Sequence, residues 1–270
     1  MNVLVIGNGG REHALCYGIK QSPNCSNLYC IPGSDAISEI ASSIKIEVDD
    51  HDAILKYCEE SKIDLVVIGP ELPLTQGLSN RLINNSILVF GPDQMGAELE
   101  KSKKFTKDIC KKLNIATAAY DVFDNYDDAL TFCQKKFYPL VIKADGLAAG
   151  KGVYICKNFE DAKCAANEVF NGKFGEAKKI LLEEFLNGEE MSFFIISDGN
   201  NFYQFGTAQD HKRVFEGDRG KNTGGMGAYS PSRLESSNLN NKILNKIIKP
   251  TLKGLSDLNT DFQGFLYAGL

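Results

Sequence analysis

The stretch VLVIGNGGREHAL, residues 3–15, joins a short apolar run to a glycine-rich turn and then to helically spaced side chains. This order predicts a buried β-strand that stops at Gly7 and a helix that begins just after the turn. Backbone N–H groups at such a helix start can hold a phosphate. The turn is a weak dinucleotide signal, because Glu12 stands where the third glycine of G-x-G-x-x-G would fall. The alternative is a tight turn without a ligand.

The same alternation continues through the first hundred residues. We expect strands at 3–6, 28–31, 65–68 and 88–90, and helices at 12–20, 52–62 and 78–84. Each strand leads into a loop that contains glycine. Strands that alternate with helices predict a parallel sheet with helices on its faces. Ligands bind at the carboxyl ends of the strands in such sheets.

The rhythm changes after residue 94. We expect one Lys-rich helix over 98–113, followed by strands at 138–144, 153–155, 179–185 and 191–196. The irregular spacing of these strands is typical of a mixed α+β unit. The predicted fold is therefore α/β, with an N-terminal parallel-sheet domain over residues 1–100 and a second, α+β domain over residues 101–270.

The composition of the 270 residues excludes several classes of protein. Hydrophobic residues make up 43% and charged residues 24%, which is ordinary for a globular protein and argues against disorder. The net charge of −5 argues against a general nucleic-acid binder. No apolar run is long enough to span a membrane, and the N-terminus is interpreted as a strand instead of a signal peptide. Eight scattered cysteines without a C-x-x-C pair indicate free thiols in a reducing cytoplasm, and three isolated histidines make zinc improbable.

The segment GLAAGKG at 146–152 lies between two predicted strands. It is not a P-loop, since it is one residue short and Gly152 replaces the Ser or Thr that binds magnesium. Glycines let the backbone approach phosphates, so Gly150 and Gly152 could line a lid over a triphosphate, with charge from Lys151. Lys143, on the strand before it, would point toward the same phosphates. The alternative is a flexible hairpin with a surface lysine.

The run LLEEFLNGEE at 181–190 is an apolar strand that runs into acidic residues. An adenine needs a backbone donor and acceptor with an apolar cover, which residues 183–186 could supply. A ribose needs a carboxylate, for which Glu190 is the candidate. The alternative is a strand end with a solvated acidic turn.

Two polar segments follow, QDHKR at 209–213 and NTGGMGAYSP at 222–231. Arg213 is a candidate for a substrate carboxylate, because a guanidinium makes a planar two-point contact. The glycines after Thr223 could offer backbone N–H groups to an oxyanion. The alternative is a charged surface loop followed by a linker.

Together, six segments resemble one known family. In order and spacing they are similar to the ATP-grasp ligases and, among these, to the glycinamide ribonucleotide synthetases (phosphoribosylamine–glycine ligases) of purine biosynthesis. The segments are VLVIGNGGREHAL at 3–15, GPELPL at 69–74, VIKADGLAAGKGV at 141–153, EEFLNGEE at 183–190, QDHKR at 209–213 and NTGGMGAYSP at 222–231. The resemblance covers essentially the whole chain.

The resemblance implies that ATP phosphorylates glycine and that the amine of 5-phosphoribosylamine attacks the glycyl phosphate. It implies a Rossmann-like N-terminal domain over 1–100 and an incomplete ATP-grasp domain over 101–270, with a lid subdomain at about 118–190. Lys143 and Arg213 are the implied catalytic residues. The implied ATP-binding residues are Lys103, Lys143, Gly150, Lys151, Gly152, Glu183, Glu184, Phe185, Leu186, Glu190 and Asn222, and the implied substrate-binding residues are Gly9, Gly10, Gly69, Pro70, Glu71, Asp210, Lys212 and Arg213.

The resemblance also implies a cofactor and a setting. ATP is expected together with Mg²⁺ or Mn²⁺, whose protein ligands in the family would lie on a strand after residue 270. We therefore expect folding without turnover, and exposed apolar residues near Phe265, Leu266 and Leu270. A cytoplasmic protein, monomeric when complete, without nucleic-acid or membrane partners is expected.

Two alternatives remain open. One is a nucleotide-binding chain without catalysis. The other is a different ATP-grasp carboxylate–amine ligase, against which QDHKR and NTGGMGAYSP argue.

Overall fold

The computed structural model of the chain describes residues 1–147, 152–175, 179–217 and 219–270. These residues form two compact units. The first comprises Met1–Ala97, Ser197–Asn201 and Asn259–Phe265, and the second comprises Glu98–Ile196, Phe202–Leu258 and Leu266–Leu270. Within the described ranges, no helix combines the length and the apolar character needed to cross a membrane.

A parallel sheet forms the centre of the first unit. Its strands are β1 (Asn2–Gly7), β2 (Asn27–Pro32), β3 (Ser42–Ser43), β4 (Leu65–Ile68) and β5 (Leu88–Phe90), in the order β3-β2-β1-β4-β5. The helices are α1 (Gly10–Lys20), α2 (Asp35–Ser38), α3 (His51–Glu60), α4 (Glu71–Thr75) and α5 (Leu78–Asn84). The expected strands, helices and parallel topology are confirmed, and β3, α2 and α4 are additional.

Both faces of this sheet are buried. Leu4 and Ile6 of β1 belong to one apolar cluster, whereas Val3 and Val5 belong to another. Successive side chains of a strand point to opposite faces, so helices must cover the sheet on both sides. This double coverage explains why the strands appear in the sequence as continuous apolar runs.

The single helix expected over 98–113 is wrong. The structure has two helices, α6 (Gln94–Lys101) and α7 (Lys103–Lys112), which are separated at Ser102. Ser102 has an extended backbone, and its Oγ accepts the Phe105 N–H at 3.1 Å as the N-cap of α7. A serine at this position satisfies a donor of the new helix start, which makes the break favourable.

The strands of the second unit form antiparallel pairs. The strands β6 (Tyr120–Phe123), β7 (Leu140–Ala144), β8 (Val153–Cys156) and β9 (Ile180–Glu184) form a sheet in the order β6-β9-β7-β8. The helices α8 (Tyr126–Cys133) and α9 (Phe159–Phe170) pack on it. This mixed α+β arrangement confirms the predicted class.

The remaining elements lie between residues 192 and 269. A four-stranded sheet has the order β14-β11-β10-β15, and β12 pairs with β13. Two helices are joined through a π-helical segment, Leu244–Ile248. The bounds are β10 (Ser192–Asp198), β11 (Phe202–Asp210), β12 (Arg213–Phe215), β13 (Arg219–Asn222), β14 (Ala228–Tyr229), α10 (Ser237–Ile243), α11 (Lys249–Ser256) and β15 (Gln263–Gly269).

Alternation along β15 corrects part of the expected apolar exposure. Phe265 and Leu270 are exposed, as expected. Leu266 is buried, so the expectation for that residue is wrong. Neighbouring residues of a strand face opposite sides of the sheet, so Leu266 points away from the side on which Phe265 lies.

The two faces of the β6-β9-β7-β8 sheet have different chemistry. Ile142, Ala144, Ile180 and Leu182 enter the apolar cluster beneath α8 and α9. The antiparallel register aligns Lys143 with Leu181 and Val141 with Glu183. These four side chains therefore share the opposite face, which we call the charged face because it carries Lys143 and Glu183.

Candidate functional site

The charged face brings together a carboxylate and two ammonium groups. Glu183, 4% exposed, is the acidic member. Its Oε2 lies 2.8 Å from Lys143 Nζ and 3.3 Å from Lys107 Nζ. A buried carboxylate requires counterions of this kind, since unpaired charge is costly away from water.

Lys107 is a functional candidate that sequence reasoning missed. It lies in α7 and also donates to Thr117 Oγ1 at 2.8 Å and to Ala118 O at 3.1 Å. Burial lowers the pKa of Lys107, while the charge of Glu183 opposes that change. Lys107 follows Lys103 by four residues, which places both on one side of a helix. This spacing was the sequence signal by which Lys107 could have been found.

Glu183 retains one unused acceptor. Its Oε1 is buried and has no hydrogen-bond partner among the described residues. Buried polar atoms are nearly always paired in folded proteins, so an unpaired one calls for an explanation. A bound molecule with a hydrogen-bond donor at this position would pair with Oε1 and explain it.

Lys103 lies at the first position of α7, next to the start of the GLAAGKG segment at 146–152, which we call the glycine loop. Its Nζ donates to Gly146 O at 2.9 Å, and burial lowers its pKa. Asp145 accepts from Ser102 Oγ at 3.2 Å and from the Lys104 N–H at 3.2 Å. These contacts attach the start of the loop to the N-terminus of α7, so the predicted phosphate contact Lys103 lies at the base of the predicted lid.

The far end of the loop is closed by backbone pairing. The Ala144 N–H donates to Gly152 O at 2.8 Å, and Gly152 is buried. The predictions for Gly150 and Lys151 concern positions outside the described residues. Lys143 thus lies on β7 opposite Val153 of β8, and Gly152 immediately precedes β8.

The residues predicted to hold adenine follow the charged face at the end of β9. The Glu184 side chain accepts the Ala119 N–H at 2.8 Å, so its carboxylate serves to join β9 to the chain before β6. Phe185 is exposed, and Leu186 is 63% exposed. Two exposed apolar side chains beside a polar strand end are suited to cover a flat ring.

The predicted ribose and substrate residues form a second cluster. Lys212 forms an ion pair with Glu190, and its Nζ lies 3.9 Å from Asp210 Oδ1. Although burial lowers the pKa of Lys212, the hydrogen bond and charge of Glu190 outweigh burial and raise it. Lys212 is therefore held in its charged form, as a contact to an anionic substrate requires.

Arg213 and Asn222 lie opposite each other on β12 and β13. Arg213 Nη1 donates to Gly220 O at 2.8 Å, and Asn222 is exposed. The Lys212 carbonyl accepts the Thr223 N–H at 2.7 Å, which ties the two polar segments together. The structure thus brings the QDHKR and NTGG residues to one hairpin.

The first unit contains the third group of predicted residues. Glu12 is buried and accepts the Gly9 N–H at 2.8 Å. Arg11 bridges Glu12 at 2.7 Å and Glu71 at 2.9 Å, and the resulting hydrogen bonds outweigh burial and raise the pKa of Arg11. Sequence reasoning treated Glu12 only as a missing glycine, whereas in the structure Glu12 caps the start of α1 and Arg11 links it to Glu71 at the start of α4.

Space for Glu12 depends on glycine at position 69. A Cβ at Gly69 would lie 2.1 Å from Glu12 Oε1, whereas one at Gly10 would meet nothing within 4 Å. Pro70 is the N-cap residue of α4 and Glu71 its first residue. The predicted residues of this unit therefore lie at the carboxyl ends of β1 and β4, where ligands bind in open parallel sheets.

Comparison with known families accounts for the whole chain. Residues 1–100 match the family model described as "Phosphoribosylglycinamide synthetase, N domain", and residues 101–270 match "Phosphoribosylglycinamide synthetase, ATP-grasp (A) domain". The chain belongs to the phosphoribosylglycinamide synthetase family. The resemblance found in the six sequence segments is thereby confirmed.

Individual relatives of the family agree. A phosphoribosylamine–glycine ligase of Mesorhizobium japonicum is 48% identical over all of this chain and 64% of its own length. The crystal structure of the phosphoribosylamine–glycine ligase of Thermotoga maritima matches with a TM-score of 0.84 and 32% identity, covering all of this chain and 65% of that one. The chain thus spans about two thirds of the length of these relatives.

A more distant structure shows the fold alone. The N5-carboxyaminoimidazole synthase of Aspergillus clavatus, solved with ADP and an aminoimidazole ribonucleotide, has a TM-score of 0.72 at 14% identity. It covers 99% of this chain and 65% of its own.

Proposed function

We propose that this chain binds ATP on the charged face and forms the N-terminal and ATP-grasp part of a phosphoribosylamine–glycine ligase. The observation that carries the proposal is the triad of Glu183, Lys143 and Lys107 beside the base of the glycine loop. Its net charge of one positive unit suits a polyphosphate. Family membership supports the same assignment, because residues 101–270 match an ATP-grasp domain model.

The nucleotide would be bound by residues with separate tasks. Lys143 and Lys103 would neutralise phosphate oxygens, and Gly150, Lys151 and Gly152 would cover them. Phe185 and Leu186 would cover the adenine, whose amine would donate to the unpaired Glu183 Oε1. Glu190 would hold the ribose by exchanging its Lys212 partner for sugar hydroxyls, with Asn222 nearby on β13.

The ligase reaction that we propose would proceed in two steps. The glycine carboxylate attacks the γ-phosphorus and releases ADP, giving glycyl phosphate. The amine of 5-phosphoribosylamine then attacks the acyl carbon, releases phosphate and loses a proton. Arg213 would hold the glycine carboxylate by two parallel hydrogen bonds, and Asp210 and Lys212 would flank it.

The phosphoribosyl group would lie in the first unit. Gly9, Gly10, Gly69, Pro70 and Glu71 surround the carboxyl ends of β1 and β4. Since Gly9 N–H already donates to Glu12, the phosphate would use other donors of the α1 start and the Arg11 guanidinium. This placement remains part of the proposal.

The divalent cation is not assigned to residues of this chain. The described residues contain no group of three or more His, Cys, Asp or Glu side chains that could hold a metal ion. We propose that Mg²⁺ or Mn²⁺ enters with the nucleotide. We also propose a domain boundary near residue 100 and a lid subdomain over about 118–190. The proposed location is the cytoplasm, and the complete protein is proposed to be a monomer.

Calorimetric titration tests the nucleotide proposal directly. We expect ATP and ADP to bind and NAD not to bind. GTP should bind more weakly than ATP. Guanine has a carbonyl oxygen at the position of the adenine amine, and this oxygen cannot donate a hydrogen bond to Glu183. NAD binding without adenine-nucleotide binding would overturn the proposal.

Turnover is tested separately, by phosphate release with glycine and 5-phosphoribosylamine and by mass spectrometry of the product. Glycinamide ribonucleotide as the product supports the ligase. A different amide identifies another carboxylate–amine ligase, and ATP binding without phosphate release identifies a nucleotide-binding chain without catalysis.

A further inference from the structure

The triad on the charged face contains more positive charge than Glu183 needs. One carboxylate oxygen, Oε2, accepts a hydrogen bond from Lys143 and also forms an ion pair with Lys107. Either lysine alone would neutralise the carboxylate. The second lysine therefore requires an explanation of its own.

The two lysines are held very differently. Lys107 is 8% exposed, and its ammonium group donates to Thr117 Oγ1 and Ala118 O and forms an ion pair with Glu183 Oε2 at 3.3 Å. The Lys143 side chain is 29% exposed, and Glu183 is its one partner within the described ranges. Lys107 is thus fixed in place, whereas Lys143 can rotate away at the loss of one contact.

The loss of its last cationic partner is energetically unfavourable for a buried carboxylate. Removing one partner of a buried ion pair leaves an uncompensated charge, which is strongly destabilising. If Lys143 were the sole counterion of Glu183, moving to a phosphate would carry that penalty. Because Lys107 stays with Glu183, the penalty does not arise.

We propose that Lys107 is a positioning residue, a permanent counterion of Glu183 that releases Lys143 to bind the nucleotide phosphates. This inference rests on the proposed ATP site. It assigns Lys107 no contact with the nucleotide, because its buried ammonium group is already held by Thr117, Ala118 and Glu183. Its effect should therefore depend on the presence of phosphates in the ligand.

A purely structural role for Lys107 predicts something different. Lys107 also joins α7 to the Thr117–Ala118 backbone, so its loss could loosen the whole site. Loosening would weaken the binding of adenosine and of ATP alike. If Glu183 instead held Lys143, ATP binding would weaken, whereas the binding of adenosine, which has no phosphate, would not change.

The experiment compares Lys107→Met with Lys107→Arg by calorimetric titration of ATP and adenosine. We expect Lys107→Met to lower ATP affinity about tenfold, within the range by which residues that contact neither ligand modulate coupling. Adenosine affinity should not change. Lys107→Arg keeps the charge and should bind ATP nearly as the parent chain does. Lys104→Met is the matched control, because Lys104 pairs with Asp108 on the exposed side of the same helix.

The double variant Lys107→Met/Glu183→Gln addresses the mechanism. Removing the carboxylate charge removes the trap for Lys143, so the ratio of ATP to adenosine affinity should return to that of the parent chain. The ratio corrects for any change in adenine binding, and the double variant also remains informative if Lys107→Met folds poorly.

Three results would overturn the inference. They are unchanged ATP affinity in Lys107→Met, an equal loss for adenosine and ATP, and a ratio in the double variant as low as in Lys107→Met. Each leaves the ATP site in place, provided that the parent chain binds ATP. A parent chain that binds no ATP refutes the proposed function and this inference with it.

Discussion

Replacing Gly69 by alanine should disrupt the packing around the buried Glu12. The added Cβ would lie 2.1 Å from Glu12 Oε1 and 2.7 Å from its Cδ, well inside contact distance. Glu12 cannot retreat without loss, because it accepts from the Gly9 N–H at 2.8 Å and from Arg11 Nε at 2.7 Å. Gly69 itself is held by its N–H, which donates to Ile6 O at 3.1 Å.

The cost has two parts. Overpacking a well-filled site costs about 1–3 kcal/mol, and each hydrogen bond lost from a charged group adds roughly 1.5–3 kcal/mol. With one such bond lost, we expect the free energy of unfolding to fall by about 2.5–6 kcal/mol. In a chain of this size, that corresponds to a fall in the unfolding midpoint of roughly 5–15 °C.

Thermal unfolding followed by circular dichroism measures the change. The matched control is Gly18→Ala, an exposed position of α1 where a Cβ meets nothing within 4 Å. It should gain about 0.5–1 kcal/mol from helix propensity. Gly69→Ala combined with Glu12→Ala should be less destabilised than the sum of the single variants, since the second change removes the clash. An unchanged midpoint in Gly69→Ala, or strict additivity in the double variant, would refute the reasoning.

Three further predictions concern Lys143 and Arg213 of the second unit and the buried Cys58 thiol of the first. Lys143→Ala should weaken ATP binding by about 1.5–3 kcal/mol through the loss of a charge-assisted phosphate contact, measured by calorimetry with the exposed Lys163→Ala as the control; unchanged affinity would remove Lys143 from the site. Arg213→Lys should raise the apparent KM for glycine more than that for ATP in any preparation that turns over, because lysine keeps the charge but loses the two-point geometry; the reverse order would contradict the assignment. Burial raises the pKa of the Cys58 thiol from 9.0 to about 12, so the folded state keeps a proton that the unfolded chain loses. The stabilisation is fully present below pH 9.0 and is lost as pH rises toward about 12; urea unfolding should show a shallower decline over this window in Cys58→Ala, and parallel declines in the two proteins would contradict the prediction.

Much of the fold follows from local sequence. The apolar runs of β1, β2, β4 and β5 each end at or next to glycine, and in the last three a proline adjoins that glycine. The helix predicted over 78–84 is observed as Leu78–Asn84. These signals are local because strand burial and turn chemistry depend on a few adjacent residues. The segments that carry the candidate site were found in the same way, as glycine-rich or charged runs with defined spacing.

Tertiary structure decided which side chains meet. Ser102 divides the predicted helix as the N-cap of α7, and Asp145, 43 residues away, accepts from its hydroxyl. Lys107 was overlooked because its partner Glu183 lies on a different element, β9. The importance of Glu12 emerged only when β1 and β4 placed Gly7 and Gly69 around it. Contacts of this kind depend on strand register and on which elements pack together, and neither is written in the few residues around each position.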